Sequence, residues 1–137
     1  MLNVLAILTC TAQENDIEAQ MTQNSEMKNL KALKSTRETQ KIHQQYNEEQ
    51  DLIRNEMKEL GDRTSDEYLD LSAELRDSQT EEDEKVKKIE EEAKAYEEKI
   101  DLENDQLESQ IQSIQADKEG FQKGVDDFTQ TFNYFGN

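Results

Sequence analysis

Residues 86–135 read VKKIEEEAKAYEEKIDLENDQLESQIQSIQADKEGFQKGVDDFTQTFNYF. Counting by sevens from Val86 gives Val86, Ala93, Ile100, Leu107, Ile114, Phe121, Phe128 and Phe135, all apolar. An apolar seventh position sustained this far is the seam of a long helix packed on another helix. A companion row starts as Ile89 and Tyr96 and turns polar at Glu103 and Gln110. It resumes one place later at Ile111, Val125 and Phe132. That drift is what 3.6 residues per turn produces when counted in sevens. The seam is narrow at first and ends in a phenylalanine-rich face.

Upstream of this helix the sequence reads Leu60-Gly61-Asp62-Arg63-Thr64-Ser65-Asp66-Glu67. Gly61 suits the left-handed residue that closes a helix. Thr64, with Glu67 three residues on, forms a capping box, and Ser65 is the alternative cap. Asp66 and Glu67 favour the first turn through the helix dipole. Asp77-Ser78-Gln79-Thr80, where Thr80 and Asp83 could cap a restart, leaves open whether the second helix is broken there. Before the turn, Ile17, Met21, Met27, Leu30, Leu33, Ile42, Tyr46, Ile53, Met57 and Leu60 recur mostly at spacings of three, four or seven. Between Lys34 and Lys41 this face carries no apolar residue, so polar or loose packing is expected there. The sequence thus predicts an all-α, coiled-coil-like antiparallel hairpin in one domain spanning residues 1–137. Its helices run from about residue 2 to 60 and 66 to 135, joined by a turn at 61–65.

Apolar character is concentrated at the two ends. Met1 to Ala12 has no charge, and all four phenylalanines lie between Phe121 and Phe135. The chain has no proline or tryptophan, and 32% of it is apolar, below the usual ~45–50% of globular domains. A thick core is therefore excluded. The net charge is −17: residues 13–60 hold ten acids against seven bases, and residues 61–137 hold 23 against nine. Such a surface repels phosphate backbones and anionic bilayers, which argues against nucleic-acid or basic-helix membrane binding.

Catalytic, cofactor and metal sites find no support. His43 is the only histidine and sits among Gln44, Gln45 and Asn47. Cys10 is the only cysteine and reads as a small buried residue, so neither an intramolecular disulfide nor a cysteine metal cluster can form. Glu81-Glu82-Asp83-Glu84 and Glu90-Glu91-Glu92 lack calcium-loop spacing and read as solvated faces. No phosphate-cradling glycine loop is present, and an enzyme is the class with least support.

The first residues also resemble a secretory or lipoprotein leader. Yet no base precedes the apolar run, Asn3 interrupts it, and Thr9 stands where a small residue would precede Cys10. The segment is therefore expected to be retained. A run of eight residues reaches about 12 Å, too short for about 30 Å of hydrocarbon. No direct membrane span is expected.

In a hairpin centred near Arg63, residue n lies opposite residue ~126 − n. Met57 then meets Leu69, Ile53 meets Ala73, and Ile17 meets Ser109 beside Leu107 and Ile111. The two uncharged ends meet at one end of a rod about 90 Å long, at about 1.5 Å per residue. Leu2, Val4, Leu5, Ile7 and Leu8 cover every side of their helix, and such a helix needs neighbours all round. With Ile114, Phe121, Val125, Phe128, Phe132, Tyr134 and Phe135 they form the expected assembly surface.

These features, the polar break at Gly61–Ser65, the uncharged N-terminal helix and Phe128-Thr-Gln-Thr-Phe-Asn-Tyr-Phe135, resemble the axial needle subunits and flagellins of type III secretion and flagellar systems. The resemblance covers the whole chain in architecture and its two ends in residue character. It implies an extracellular or cell-surface filament or tube, a homopolymer whose terminal helices form the core while the acidic hairpin faces solvent. It also implies export without a cleaved leader, with a secretion apparatus or export chaperone as partner. The alternative is a cytoplasmic coiled-coil adaptor or chaperone-like binder in a closed small oligomer, with a spacer lipid-anchored at Cys10 as a third option.

Overall fold

A computed structural model describes the backbone of residues 2–135 and the side chains of residues 2–133. Helix α1 spans Leu2–Leu60 and helix α2 spans Asp66–Phe135. The two pack against each other as an all-α helical hairpin, with no strand among the described residues. The pairing forms two compact units. Unit 1 joins Met1–Lys28 to Glu98–Asn137, and unit 2 is Asn29–Glu97.

Local chemistry ends α1 and starts α2. Gly61 takes φ +69°, the left-handed conformation that costs glycine least, and its N–H donates to Met57 O at 3.4 Å. Asp62 Oδ1 accepts from the Thr64 N–H at 3.0 Å and from the Thr64 hydroxyl at 2.7 Å. Ser65 is the N-cap of α2: its Oγ accepts from the Tyr68 N–H at 3.2 Å. The expected Thr64–Glu67 box does not form, because Thr64 turns back to Asp62 and α2 starts one residue later than that box requires. Glu67 lies exposed in the first turn beside Asp66. The question left open near Thr80 is answered by an unbroken helix. α2 continues through this point, and the Thr80 hydroxyl donates to the Arg76 carbonyl at 3.0 Å.

In unit 1 the less exposed residues of α1 include a row, Ile7, Cys10, Glu14, Ile17, Met21, Asn24 and Lys28, that alternates by three and four. Opposite them on α2 lie Ile100, Asn104, Leu107, Ile111, Ile114, Lys118 and Val125. Asn24 Nδ2 donates to Asn104 Oδ1 at 3.1 Å, two residues from the position the predicted register assigns. Lys28 pairs with Asp101 at 2.7 Å, and Lys118 Nζ lies 3.5 Å from Glu14 Oε1.

In unit 2 the inner row of α1 is Lys31, Ser35, Glu38 with Thr39, Ile42, Tyr46, Gln50, Ile53 and Met57. It faces Tyr68, Leu75, Ser78, Glu82, Val86, Ile89, Ala93 and Tyr96. Lys31 sits over the Tyr96 ring, 5.9 Å from its centre. Ser35, Thr36 and Thr39 line a groove with Ile89 and Ala93, the polar, loose packing expected between Lys34 and Lys41. Leu30, Leu33, Leu60 and Met27, the last of these in unit 1, were expected on the seam and are instead exposed. The three–four alternation of the inner row passes between these residues and brings Asn24, Lys28, Lys31 and Ser35 inward. Leu69 and Ala73, set opposite Met57 and Ile53 by the predicted register, are exposed too. Met57 lines a hollow with Tyr68 and Leu75.

Candidate association surface and buried polar layer

The end of unit 1 is built from the first turns of α1 and the last turns of α2. Leu2, Asn3, Val4, Gly124, Val125 and Phe128 line one groove of about 560 Å³. A Cβ added at Gly124 would come 2.6 Å from Asn3 Nδ2, so at that position glycine lets the Asn3 amide lie against α2. The uncharged start of α1 and the phenylalanine-rich end of α2 therefore adjoin within this unit.

Their side chains are largely uncovered. Exposure is 84% at Leu2, 62% at Leu5, 61% at Leu8, 72% at Phe128 and 67% at Phe132, with Val4 and Phe121 also exposed. Ile7, Ile114 and Val125 are half-buried and belong to the contact between the helices. The side chains of Tyr134 and Phe135 lie outside those described. Two antiparallel helices shield only the facing side of each, which leaves the remaining apolar sides in water.

Unit 2 contains a buried polar layer. Glu82 is 8% exposed and Gln50 is 2% exposed. Both Glu82 oxygens are engaged: Gln50 Nε2 donates to Oε1 at 3.1 Å, and His43 Nδ1 lies 2.8 Å from Oε2. A carboxylate only accepts, so His43 carries its proton on Nδ1. Gln50 Nε2 also approaches Ser78 Oγ at 3.4 Å. The His43 hydrogen bond holds the Glu82 carboxyl below its usual range, against the upward push of burial. Beside this layer Lys85 lies 5.0 Å from the Tyr46 ring centre. Hydrogen bonding to Tyr46, then to Glu81, raises the Lys85 pKa.

Sequence reasoning placed Glu82 on a solvated face with Glu81, Asp83 and Glu84. Those three are exposed, whereas Glu82 points inward. The missed signal is spacing: the inner row takes two successive steps of four at Ile42–Tyr46–Gln50 and again at Ser78–Glu82–Val86.

Among the described residues no group of three or more His, Cys, Asp or Glu is placed to hold a metal ion. No described helix is long and apolar enough to cross a membrane. Comparison of the chain with protein-family models, curated proteins and solved structures gives no match.

Proposed function

We propose that this chain is a structural subunit that associates with copies of itself through its uncharged ends, building an extracellular filament or tube with the acidic hairpin outward. The observation that carries the reading is the exposure of Leu2, Leu5, Leu8, Phe128 and Phe132 at one end of unit 1. A phenylalanine buries about 150–250 Å² when covered. The end therefore offers area on the scale of the ~800 Å² that each partner gives a standard interface. A lone hairpin holding these groups in water forgoes about 1.5–3 kcal/mol for each side chain that burial could cover. The charge distribution supports the same reading, since residues 1–12 carry no charge while the whole chain carries −17. Neighbouring copies would meet where repulsion is weakest.

The test is negative-stain electron microscopy and sedimentation velocity at rising concentration, on the full chain and on a form lacking Met1–Ala12. Filaments or tubes from the full chain and a dispersed helical hairpin from the truncated form are expected. Polymer retained after the deletion overturns the role of the N-terminal run. Discrete closed particles from the full chain point instead to an adaptor or chaperone-like binder.

A further inference from the structure

We infer that the layer His43–Gln50–Ser78–Glu82 is a register lock, which selects one axial pairing of α1 with α2 among several that the apolar seam alone would accept. It is independent of the association surface. Val86, Ala93, Ile100, Leu107 and Ile114, seven apart, all lie on the inner row of α2, so sliding α2 by seven residues still presents an apolar row to α1. The turn resists that slide through the seven helical residues beside it that would have to unwind and the hollow that Met57 shares with Tyr68 and Leu75, while Leu60 and Leu69, which flank it, are exposed.

The layer removes this degeneracy. In the observed pairing Gln50 reaches Ser78 and Glu82, and Glu82 has His43 and Gln50 on its two oxygens. A slip of seven in one direction sets Gln50 against Leu71 and Leu75; in the other it meets Lys85 and Ile89. Glu82 would then face Thr36 and His43, or Gln50 and Met57. Each alternative strands a buried amide or carboxylate oxygen, which is far more costly than an unmade surface contact. The backbone pattern agrees. Two successive steps of four locally straighten a coiled coil, and in the observed register Ile42–Tyr46–Gln50 faces Ser78–Glu82–Val86. A single polar position within an apolar seam is an established means of fixing helix pairing.

The test uses the full chain in a Cys10→Ala background, with nitroxides attached at Arg37→Cys and Glu91→Cys, two exposed sites in unit 2. Labelled protein is diluted into unlabelled protein, so that only distances within one chain are read. Pulsed dipolar spectroscopy should return one distance population for this parent. With Gln50→Leu and Glu82→Leu added, helix content by circular dichroism should persist while further populations appear. These correspond to axial displacements of about 10 Å per seven residues. The exchanged pair, Gln50→Glu with Glu82→Gln, should restore a single population. One unchanged population in the leucine pair overturns the lock. Loss of helix in the leucine pair also overturns it, because the layer would then be needed for folding and not for choosing a register. More than one population in the exchanged pair overturns it as well.

Discussion

At the scale of single residues, Glu82 joins burial, hydrogen bonding and charge in one side chain. Its carboxylate is buried, doubly hydrogen-bonded and below its ordinary pKa because His43 donates to it. A folded pKa below the unfolded one adds stability that is full above the ordinary value of 4.5. That stability is lost as pH falls through the folded value. Glu82→Gln should therefore unfold more readily than the parent at pH 7, by about 1–2 kcal/mol, and the gap should close below pH 4.5. Urea titrations of both proteins at several pH values check this. The difference is the quantity to read, because mild acid also relieves repulsion among the chain's 33 acids. The glycines give a second contrast. A Cβ at Gly120 meets nothing within 4 Å, whereas at Gly124 it meets the Asn3 amide. Gly120→Ala should raise the stability of the dilute chain by about 0.5–1 kcal/mol through helix propensity. Gly124→Ala should gain less, since Asn3 must swing aside.

At the scale of elements, the hairpin depends on how α1 stops and α2 starts. Gly61 and Ser65 were both legible in the sequence, because few residue types suit a left-handed C-terminal position or a helix cap. Which hydroxyl caps was not legible. Thr64 and Ser65 are adjacent and chemically equivalent, and only the Asp62 side chain, by accepting twice from Thr64, leaves the role to Ser65. Ser65→Ala should cost about 1 kcal/mol and exceed the cost of Thr64→Ala, measured by thermal unfolding. Gly61→Ala should cost about 1–2 kcal/mol, since a Cβ is strained at φ +69°. The helix boundaries were readable from these punctuation residues. The inner face of α1 was not, because Leu30 and Leu33 advertise a seam that the three–four alternation passes by, leaving both exposed.

At the scale of the whole molecule, the governing fact is −17 of charge on a chain whose largest exposed apolar groups include those at its two ends. The association proposed through those ends must overcome repulsion between like-charged copies. Raising salt from about 0.01 M to about 0.15 M shortens the screening length from about 30 Å to about 8 Å. Onset of association in light scattering should therefore move to lower protein concentration, and Leu5→Glu with Phe128→Glu should suppress it at either salt level. The sequence by itself determined the helices, the turn, the antiparallel hairpin and the concentration of apolar residues at the ends. All of these follow from local propensity, period and composition, which are written along one chain. Only the tertiary structure decided that Glu82 and Gln50 lie inside while Leu30 and Leu33 lie outside. Inward and outward are set by the phase of one helix against its partner, and a step of four in place of three turns a side chain from water to the seam without changing the propensity of any residue.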